Sequence, residues 1–232
     1  MKIACMQPYI LPAIQYFQLI SSCDTFVFLN DVNFINKGFI HKNFIINNKK
    51  KEQITIQIKK KSQNRLINQL EIFNNNSLIL KKINFSYKNS KNFKIIFPII
   101  EEIFNSNLRY LDEINIELIT KICKLLGIKK KFKKTSAMNY DYTLAGEKKI
   151  IEIVKTLKGS TYINSIGGKK IYKKENFLND KINLKFLKSN LEDKIEKNLQ
   201  YNKTEISILH LVMNKDLNKI LKELNKFQLE DN

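Results

Sequence analysis

The sequence has few of the residues from which disulfide frameworks and metal sites are built. Its 232 residues include three cysteines, two histidines, three prolines and six glycines, and tryptophan is absent. Cys5, Cys23 and Cys123 are odd in number and far apart, which argues against a disulfide framework and against a zinc knuckle. We therefore predict three buried or otherwise unremarkable thiols, with Cys5 in a buried strand rather than acting as a nucleophile.

The sequence also lacks the short motifs of several enzyme classes. It contains no G-x-S-x-G, H-E-x-x-H or EF-hand pattern, and no complete dinucleotide-binding or Walker spacing. Serine hydrolases, zinc proteases and calcium sensors of those types are therefore not indicated. No set of metal ligands and no particular cofactor is indicated either.

Long apolar stretches are missing as well. No apolar run approaches the roughly 20 residues that a membrane-spanning helix needs. Residues 1–8 carry one lysine and a short apolar stretch before Gln7 and Pro8, which is unlike a signal peptide. These absences predict a cytoplasmic chain without a transmembrane segment. The length suits one large domain, or a main domain with a small appendage.

Positive charge is present in large excess. The formal net charge is +19, from 41 basic and 22 acidic residues, but Arg65 and Arg109 are the two arginines and the other basic residues are lysines. Because specific base recognition favours arginine, we expect no sequence-specific nucleic-acid partner. A sequence rich in Lys, Asn and Ile is typical of an AT-rich genome. An anionic substrate, such as a nucleotide-linked sugar, also suits a positive field.

The first thirty residues predict the start of an α/β sheet. Residues 2–6 have the pattern of a buried strand, a Pro-bounded loop follows at 7–12, and residues 13–22 and 25–30 have helix and strand patterns. This order predicts a right-handed crossover between parallel strands. We therefore expect an α/β fold with an open, Rossmann-like sheet in its N-terminal half and a largely helical C-terminal part.

The rest of the chain alternates between strand and helix periods. Strands are predicted at 39–46, 52–59, 66–73 and 161–163, helices within 77–130, 147–157 and 192–228, a polar turn at 47–51, and a solvated basic connector at 129–134. The clearest helix, 112–126, is followed by Gly127, which suits a helix C-cap. We expect an α/β domain over residues 1–190 and a helical segment over 191–232 that packs on it.

Polar residues at predicted strand ends are the candidate catalytic groups. Gln7 and Tyr9 follow the first strand and Asp31 follows the second, at the edge of an open sheet where ligands bind; the next helix N-terminus would suit an anion. Asp31 fits a base or metal ligand as well as it fits a turn cap. His41 is a candidate acid–base group, although a histidine between apolar residues is more often structural. We expect His210, between leucines, in the core or an interface.

Two further segments are candidate binding segments. Cationic, hydroxyl and amide side chains that can hold a phosphate follow a predicted strand, although a run of charge is usually a solvated face: Lys59, Lys61, Ser62 and Gln63. Gly167 and Gly168 would let the backbone approach a ligand closely, but a Gly-Gly pair alone is weak evidence for phosphate binding.

Several blocks, taken in order along the chain, resemble those of the WbqC-like family. The blocks are Met6-Gln7-Pro8-Tyr9 with Pro12, Tyr16 and Phe17; Asp24, Phe26-Val27 and Asp31-Val32-Asn33-Phe34 with Asn43; Ile58-Lys59-Lys60-Lys61-Ser62-Gln63-Asn64 with Ile67; and Leu144-Ala145-Gly146, Ile150-Ile151 and Tyr162-Ile163-Asn164-Ser165-Ile166-Gly167-Gly168 with Tyr172. The resemblance covers about residues 1–190. It adds Asn43, Asn164 and Ser165 to the candidate substrate-binding residues, beside Tyr9.

The chain departs from the family's pattern at four places. Gln15 stands where a glycine usually precedes tyrosine, and Phe39 replaces a common tryptophan. His41 and Lys42 stand near a usual Asn-Arg pair, and His210 stands where aspartate is expected. These departures bear on activity and on the choice of substrate.

The resemblance implies a sugar-modifying transferase of O-antigen or lipopolysaccharide biosynthesis. Its substrate would be a nucleotide- or lipid-linked amino sugar that receives an acyl or aminoacyl group such as glycyl, with Gln7, Asp31 and His41 at the reaction site. The strand–loop–helix–strand order also resembles pantothenate synthetase and related nucleotidylyltransferases, although their H-x-G-H signature is absent. That likeness implies an adenylate-forming amide ligase. A non-enzymatic basic module that binds polyanions is the third alternative, motivated by the net charge.

Overall fold

The computed structural model describes residues 1–73, 77–191 and 200–231. The strands are β1 (Lys2–Met6), β2 (Thr25–Phe28), β3 (Lys42–Asn47), β4 (Lys50–Thr55), β5 (Lys131–Lys134), β6 (Thr161–Ser165), β7 (Asn183–Ser189) and β8 (Phe227–Glu230). The helices are α1 (Ile14–Ser22), α2 (Ser77–Tyr87), α3 (Phe93–Phe104), α4 (Leu111–Leu125), α5 (Gly146–Thr156), α6 (Lys174–Asn179), α7 (Ile208–Asn214) and α8 (Leu217–Leu224).

Six of the strands form one open sheet in the order β5-β2-β1-β6-β7-β8. Neighbouring strands are parallel except β8, which pairs with β7 in the antiparallel direction. The predicted unit of β1, loop, α1 and β2 is present, and its two strands are parallel neighbours. The predicted α/β class with an open sheet is therefore confirmed.

Both faces of this sheet are covered by helices. Because successive side chains of a strand point to opposite faces, Ala4 belongs to one hydrophobic core, whereas Ile3 and Cys5 belong to the other. Helix α1 contributes to the Ala4 core together with α2, α3, α4, α7 and α8, and α5 and α6 contribute to the opposite core. All three cysteines are buried and free, as predicted.

A long insertion separates β2 from β5. It contains the antiparallel hairpin β3–β4 and the helices α2 to α4, in agreement with the predicted change from strand to helix period. The hairpin turn is tighter than the predicted 47–51 turn, because Asn48 and Lys49 take positive φ angles of 45° and 63°. Gly127 follows α4 with a φ of 71°, the left-handed conformation expected of a C-cap glycine.

Two of the predicted segments differ from the structure. Residues 66–73 form no strand: they contain a 3₁₀ turn, and the amide groups of Ile67 and Asn68 donate to carbonyls of the 30–32 loop. The basic run 129–134 is not a connector, because Lys131–Lys134 forms the edge strand β5. Phe132 stacks on Phe28 with the ring centroids 5.7 Å apart, while the neighbouring lysines stay exposed. The Phe132 ring and the parallel pairing with β2 together hold this short strand.

The C-terminal part completes the sheet as well as the helical layer. Of the predicted helical stretch 192–228, residues 192–199 lie outside the described residues, and the remainder contains α7, α8 and the start of β8. The expected boundary at 190/191 therefore falls between two adjacent strands of one sheet, β7 and β8. Within the described ranges, no helix is both long enough and apolar enough to cross a membrane.

Candidate functional site

The chain segments that follow β1 and β6 run in different directions from the carboxyl edge of the sheet. β1 lies between β2 and β6; its chain passes through α1 to β2, whereas the chain leaving β6 passes through α6 to β7. Because α1 and α6 belong to opposite faces, the two loops move apart and leave a crevice between them. Open α/β sheets commonly bind ligands at such a point.

One half of the crevice, called here the lysine pocket, has a volume of about 350 Å³. Its polar lining is Gln7, Lys149, Asn164, Ser165 and Tyr172, and Gly167 and Gly168 complete one wall. Five candidate residues at the ends of β1 and β6 therefore come together here: Gln7, Gly167 and Gly168 from the sequence pattern, and Asn164 and Ser165 from the family resemblance. Lys149 reaches the same pocket from α5.

The other half, called here the aromatic pocket, has a volume of about 370 Å³. The rings of Tyr9, Tyr16 and Phe39 line it, with the Tyr9 centroid 5.6 Å from Tyr16 and 6.3 Å from Phe39. Burial raises the pKa of Tyr9 and of Tyr16, so both rings remain neutral phenols. Met6 and Ser165 line both pockets, which therefore meet at these two residues.

Three side chains hold the loop that separates β1 from α1. The Tyr16 hydroxyl donates to the Gln7 carbonyl at 2.9 Å, and Asn115 donates to the Pro8 carbonyl at 2.9 Å. Asn43 donates to the carbonyls of Ile10 and Leu11 at 3.0 and 2.8 Å. These bonds hold Leu11 at a φ of 41°, which few non-glycine residues adopt. Asn43, a predicted ligand-binding residue, therefore shapes the crevice by fixing its loop.

Helix α1 begins at the wall of the aromatic pocket without a side-chain cap. Ala13 is the N-cap residue and makes no side-chain hydrogen bond, while Pro12, Ala13 and Gln15 line the pocket. The Tyr16 amide donates to the Ala13 carbonyl at 3.0 Å, whereas the amides of Ile14 and Gln15 are first-turn groups that have no partner within the helix and carry partial positive charge. This end of α1 therefore offers hydrogen-bond donors to an anionic or strongly polar ligand group.

Lys149 is held by a buried network centred on Asp31. Its ammonium lies 3.0 Å from Asp31 Oδ1 and donates to the Asp31 main-chain carbonyl at 3.1 Å. The Tyr140 ring lies below it, with Nζ 5.3 Å from the centroid. An ammonium has three donors, and these two bonds leave one for a ligand in the lysine pocket.

The Asp31 carboxylate is fully engaged within this network. Thr135 donates to Oδ1 at 2.6 Å, and the Tyr140 hydroxyl donates to Oδ2. Burial and then the hydrogen bond to Asp31 raise the pKa of Tyr140 above its ordinary range, so it remains a donor. Asp31 is 8 % exposed and lines neither pocket. This geometry suits a residue that positions Lys149 better than a free base.

His41 is also set back from the crevice lining. It is 3 % exposed, its ring meets the edge of Phe34 at 5.1 Å, and its Nδ1 has no hydrogen-bond partner in the described part of the chain. Burial, and then the positive charges of Lys61 and Lys42, lower the pKa of His41 to about 4. The imidazole is therefore neutral near pH 7.

The predicted phosphate-binding loop lies outside both pockets. Lys61 and Gln63 are exposed, and Ser62 accepts a hydrogen bond from the amide of Asn64. Lys59 lies 3.5 Å from the carboxylate of Glu71, a partner in the neighbouring 70–73 segment. The structure therefore does not bring these four residues together with Gln7, Asn164 and the two glycines.

The two glycines of the lysine pocket have different surroundings. A Cβ on Gly168 would lie 2.9 Å from Asn164 Nδ2 and 3.3 Å from the Phe186 ring, whereas a Cβ on Gly167 would meet no atom within 4 Å. Asn164 is buried and accepts a hydrogen bond from the Ser165 amide at 2.7 Å. Gly168 is thus needed for close packing, and Gly167 leaves open space at the wall.

Cys5 is the cysteine that borders this site, at the lysine pocket. Burial and then the nearby Cys23 raise its pKa above the ordinary range, so it stays a thiol. The ranges 1–73, 77–191 and 200–231 contain no group of three or more His, Cys, Asp or Glu that could hold a metal ion. His210, predicted in the core or an interface, is buried, with Nδ1 3.4 Å from the Tyr87 hydroxyl.

Sequence reasoning missed Lys149, Tyr140 and Thr135. They lie more than a hundred positions from Asp31, and Lys149 is one of many lysines in a basic chain. The one available signal was the Leu144-Ala145-Gly146 block just before Lys149, which resembles a family block.

A comparison with protein families matches the chain to the WbqC-like protein family over residues 7–221. The match runs from the loop after β1 into α8, so it includes the residues of the crevice, the Lys149 network and most of the C-terminal part. Comparisons with curated proteins and with solved structures give no match. Since the matched range takes in nearly the whole sequence, the chain belongs to the WbqC-like protein family.

Proposed function

We propose that the chain is a transferase that moves an acyl or aminoacyl group, such as glycyl, onto an amino sugar during surface polysaccharide biosynthesis. Membership of the WbqC-like family supports this reaction class, and the crevice supplies a site for it. The sugar would enter in nucleotide- or lipid-linked form, and its negative phosphates would suit a chain of net charge +19.

The observation that carries the proposal is the position of Lys149. Among the described residues that line the two pockets, it is the one charged side chain, and Asp31 holds it with an unused donor. A fixed cation in an otherwise neutral crevice suits a group that develops negative charge during a reaction. Gln7, Asn164 and Ser165 surround it with neutral donors and acceptors that suit sugar hydroxyls.

The proposed reaction is the attack of the sugar amine on the carbonyl carbon of the acyl donor. A C–N bond forms, the bond from the carbonyl carbon to the leaving group breaks, and the leaving group departs with the proton that the amine loses. The ammonium of Lys149 would hold the carbonyl oxygen while that oxygen carries negative charge. Asp31 would act as a positioning residue, because all of its described contacts hold other side chains.

The aromatic pocket would hold the ring portion of the substrate. Tyr9 and Phe39 present faces and edges on which a sugar or a base can pack. The uncapped start of α1 at the same wall would receive a phosphate oxygen through its amide groups. A nucleotide-linked amino sugar of this kind would span the crevice, with its reacting end towards Lys149.

Lys149→Met tests this proposal. We expect nucleotide-linked amino sugars at about 100 times their Kd to stabilise the wild type by about 2.7 kcal/mol in thermal unfolding. We also expect Lys149→Met to lower the rate of acyl transfer by at least about 100-fold. Lys155→Met, on the outer side of the same helix where Lys155 pairs with Asp180 at 2.7 Å, is the matched control and should keep both responses.

A second variant guards against loss of folding. Lys149→Met leaves the buried Asp31 carboxylate without its cation, which typically costs about 3–5 kcal/mol of stability. Adding Asp31→Asn removes that charge, so the double variant should fold better while still lacking the ammonium. If the double variant transfers the acyl group at the wild-type rate, Lys149 has no role in the reaction.

The uncapped helix start supports a second candidate, an adenylate-forming amide ligase. Helix N-termini bind phosphates, and the N-terminal amides of α1 lie at the aromatic pocket. ATP alone would then stabilise the protein, formation of the acyl adenylate would release pyrophosphate, and attack of the amine on the adenylate would release AMP. If ATP has no effect while an amino sugar does, the transferase is favoured. Stabilisation by unrelated polyanions alone, lost steeply with salt, would instead indicate a basic binding module.

A further inference from the structure

Large apolar side chains are exposed on both rims of the crevice. On the rim beside the aromatic pocket, Phe39 is 43 % exposed, and Ile35, four positions earlier in the chain, is 48 % exposed. On the rim beside the lysine pocket, Ile166 is 41 % and Ile171 is 68 % exposed. Phe39 and Ile171 also line the pockets, so these apolar groups border the opening itself.

Lysines are interleaved with these apolar side chains. Residues 166–174 contain four lysines and no acidic residue, and residues 35–42 contain two lysines and no acidic residue. Lys37, Lys170 and Lys173 are exposed, whereas Lys169 pairs with Glu230 at 3.0 Å. Both rims therefore combine exposed apolar groups with exposed lysines, and one carboxylate, Glu147, accepts from the Lys173 amide at 2.6 Å beside the lysine pocket.

This combination is typical of surfaces that lie on an anionic bilayer. Apolar side chains enter the boundary between headgroups and acyl chains, and nearby lysines attract acidic lipid headgroups. Single exposed apolar residues are common on any protein, but those named here flank one opening. Their position matters because a lipid-linked sugar phosphate is held at that boundary.

We propose that the two crevice rims dock on an anionic lipid bilayer and that the crevice receives its amino sugar from a lipid-linked carrier. The lipid-linked form of the substrate rests on the proposed function, whereas the bilayer contact does not depend on it. The rim residues enter the lipid boundary, and the exposed Lys37, Lys170 and Lys173 meet the lipid phosphates.

Vesicle sedimentation tests the contact with the whole chain. We expect binding to vesicles of phosphatidylglycerol and phosphatidylethanolamine, and little binding to phosphatidylcholine alone. Ile35→Glu combined with Ile171→Glu changes one residue on each rim and should weaken vesicle binding by about tenfold or more, because two apolar contacts are lost.

A matched pair on another surface controls for the change in charge. Phe85→Glu combined with Ile95→Glu makes the same change in net charge at side chains that are 61 % and 55 % exposed on α2 and α3. This pair lines neither half of the crevice and should bind vesicles within about twofold of the wild type. Thermal unfolding of both double variants verifies that each is folded.

Two outcomes would overturn the inference. One is no vesicle binding by the wild type, whether or not it binds single-stranded RNA, and the other is an equal loss of vesicle binding in the rim and control variants. The proposed function fails separately, if no amino sugar or acyl donor changes the thermal stability. Vesicle binding that depends on the rims would stand even then, as a membrane contact of this crevice.

Discussion

The side chain of His41 illustrates how burial sets the behaviour of one residue. Its ring packs on Phe34, its Nδ1 has no described partner, and Lys61 and Lys42 oppose a positive charge on it. The folded chain therefore keeps the imidazole neutral down to about pH 4, whereas an unfolded chain protonates it near its ordinary pKa of 6.5. Two neighbouring lysines and an apolar contact thus decide whether this histidine carries charge.

This difference makes the stability of the protein depend on pH. As the pH falls from about 6.5 to about 4, the unfolded chain binds a proton at His41 that the folded chain does not, so the free energy of unfolding decreases, by about 3 kcal/mol. The contribution is fully present above pH 6.5 and levels off below pH 4. Urea unfolding of the wild type and of His41→Leu at several pH values measures this contribution of His41. The carboxylates titrate alike in both proteins, so the difference between the two pH profiles belongs to His41.

The His41→Leu variant should show a flatter pH profile than the wild type between pH 6.5 and pH 4. Parallel profiles would mean that His41 is not held neutral by burial. The same variant also separates the structural role from the catalytic one suggested by the sequence. A variant that folds but no longer transfers an acyl group near pH 7 would assign His41 a part in the reaction.

At the level of elements, the 3₁₀ segment 166–170 after β6 shapes the lysine pocket through one glycine. A Cβ on Gly168 would press against Asn164, which is buried and bonded to the Ser165 amide. We expect Gly168→Ala to lower the free energy of unfolding by about 1–3 kcal/mol and to weaken binding of the sugar ligand, because Asn164 must move. Chemical denaturation and ligand titration measure the two effects.

Gly167→Ala is the natural control for that substitution. No atom lies within 4 Å of its added Cβ, so the stability should change by less than about 0.5 kcal/mol. Equal losses in both variants would show that the segment tolerates neither side chain for reasons of backbone conformation. In that event the contact with Asn164 would not explain the need for glycine.

Other elements show which local patterns predict structure well. The strand, loop, helix and strand of residues 2–28 were predicted because their apolar periods agree with the packing on both faces of the sheet. Residues 66–73 have a similar apolar content, but their amides bond to the 30–32 loop, so no ladder forms. The run 129–134 appeared polar, yet Phe132 docks it on β2. Local composition does not reveal such partners.

At the scale of the whole molecule, the C-terminal strand β8 connects the sheet with the helical layer. β8 pairs with β7, and Phe227 and Leu229 pack against the hydrophobic core that contains Ala4. The buried Gln18 of α1 also donates to the carbonyls of Glu223 and Lys226 at the end of α8. The last residues therefore join the sheet, α1 and α8 to one another.

Truncation after Asn225 should lower the free energy of unfolding by about 2–4 kcal/mol. It removes two partly buried apolar side chains and exposes the edge of β7, which also favours aggregation. Removal of Asp231 and Asn232 alone is the control and should have little effect, because the ion pair of Asp231 with Lys185 is exposed. If the two truncations behave alike in urea unfolding, β8 contributes little to the fold.

The sequence by itself determined the α/β class, the β1–α1–β2 unit, the burial of the cysteines and the family, because these depend on local periodicity and on ordered blocks. It also pointed to Gln7, because strand ends in a parallel sheet share one edge, to the two glycines through their backbone freedom, and to Asn164 and Ser165 through the family resemblance.

Only the tertiary structure decided that β6 lies beside β1, and that Lys149 reaches the crevice on the carboxylate of Asp31, 118 positions away. It also showed that the lysines of the 59–63 loop lie outside both pockets. The physical reason is that strand order and buried ion pairs arise from long-range packing, whose free energy leaves no local pattern in the chain.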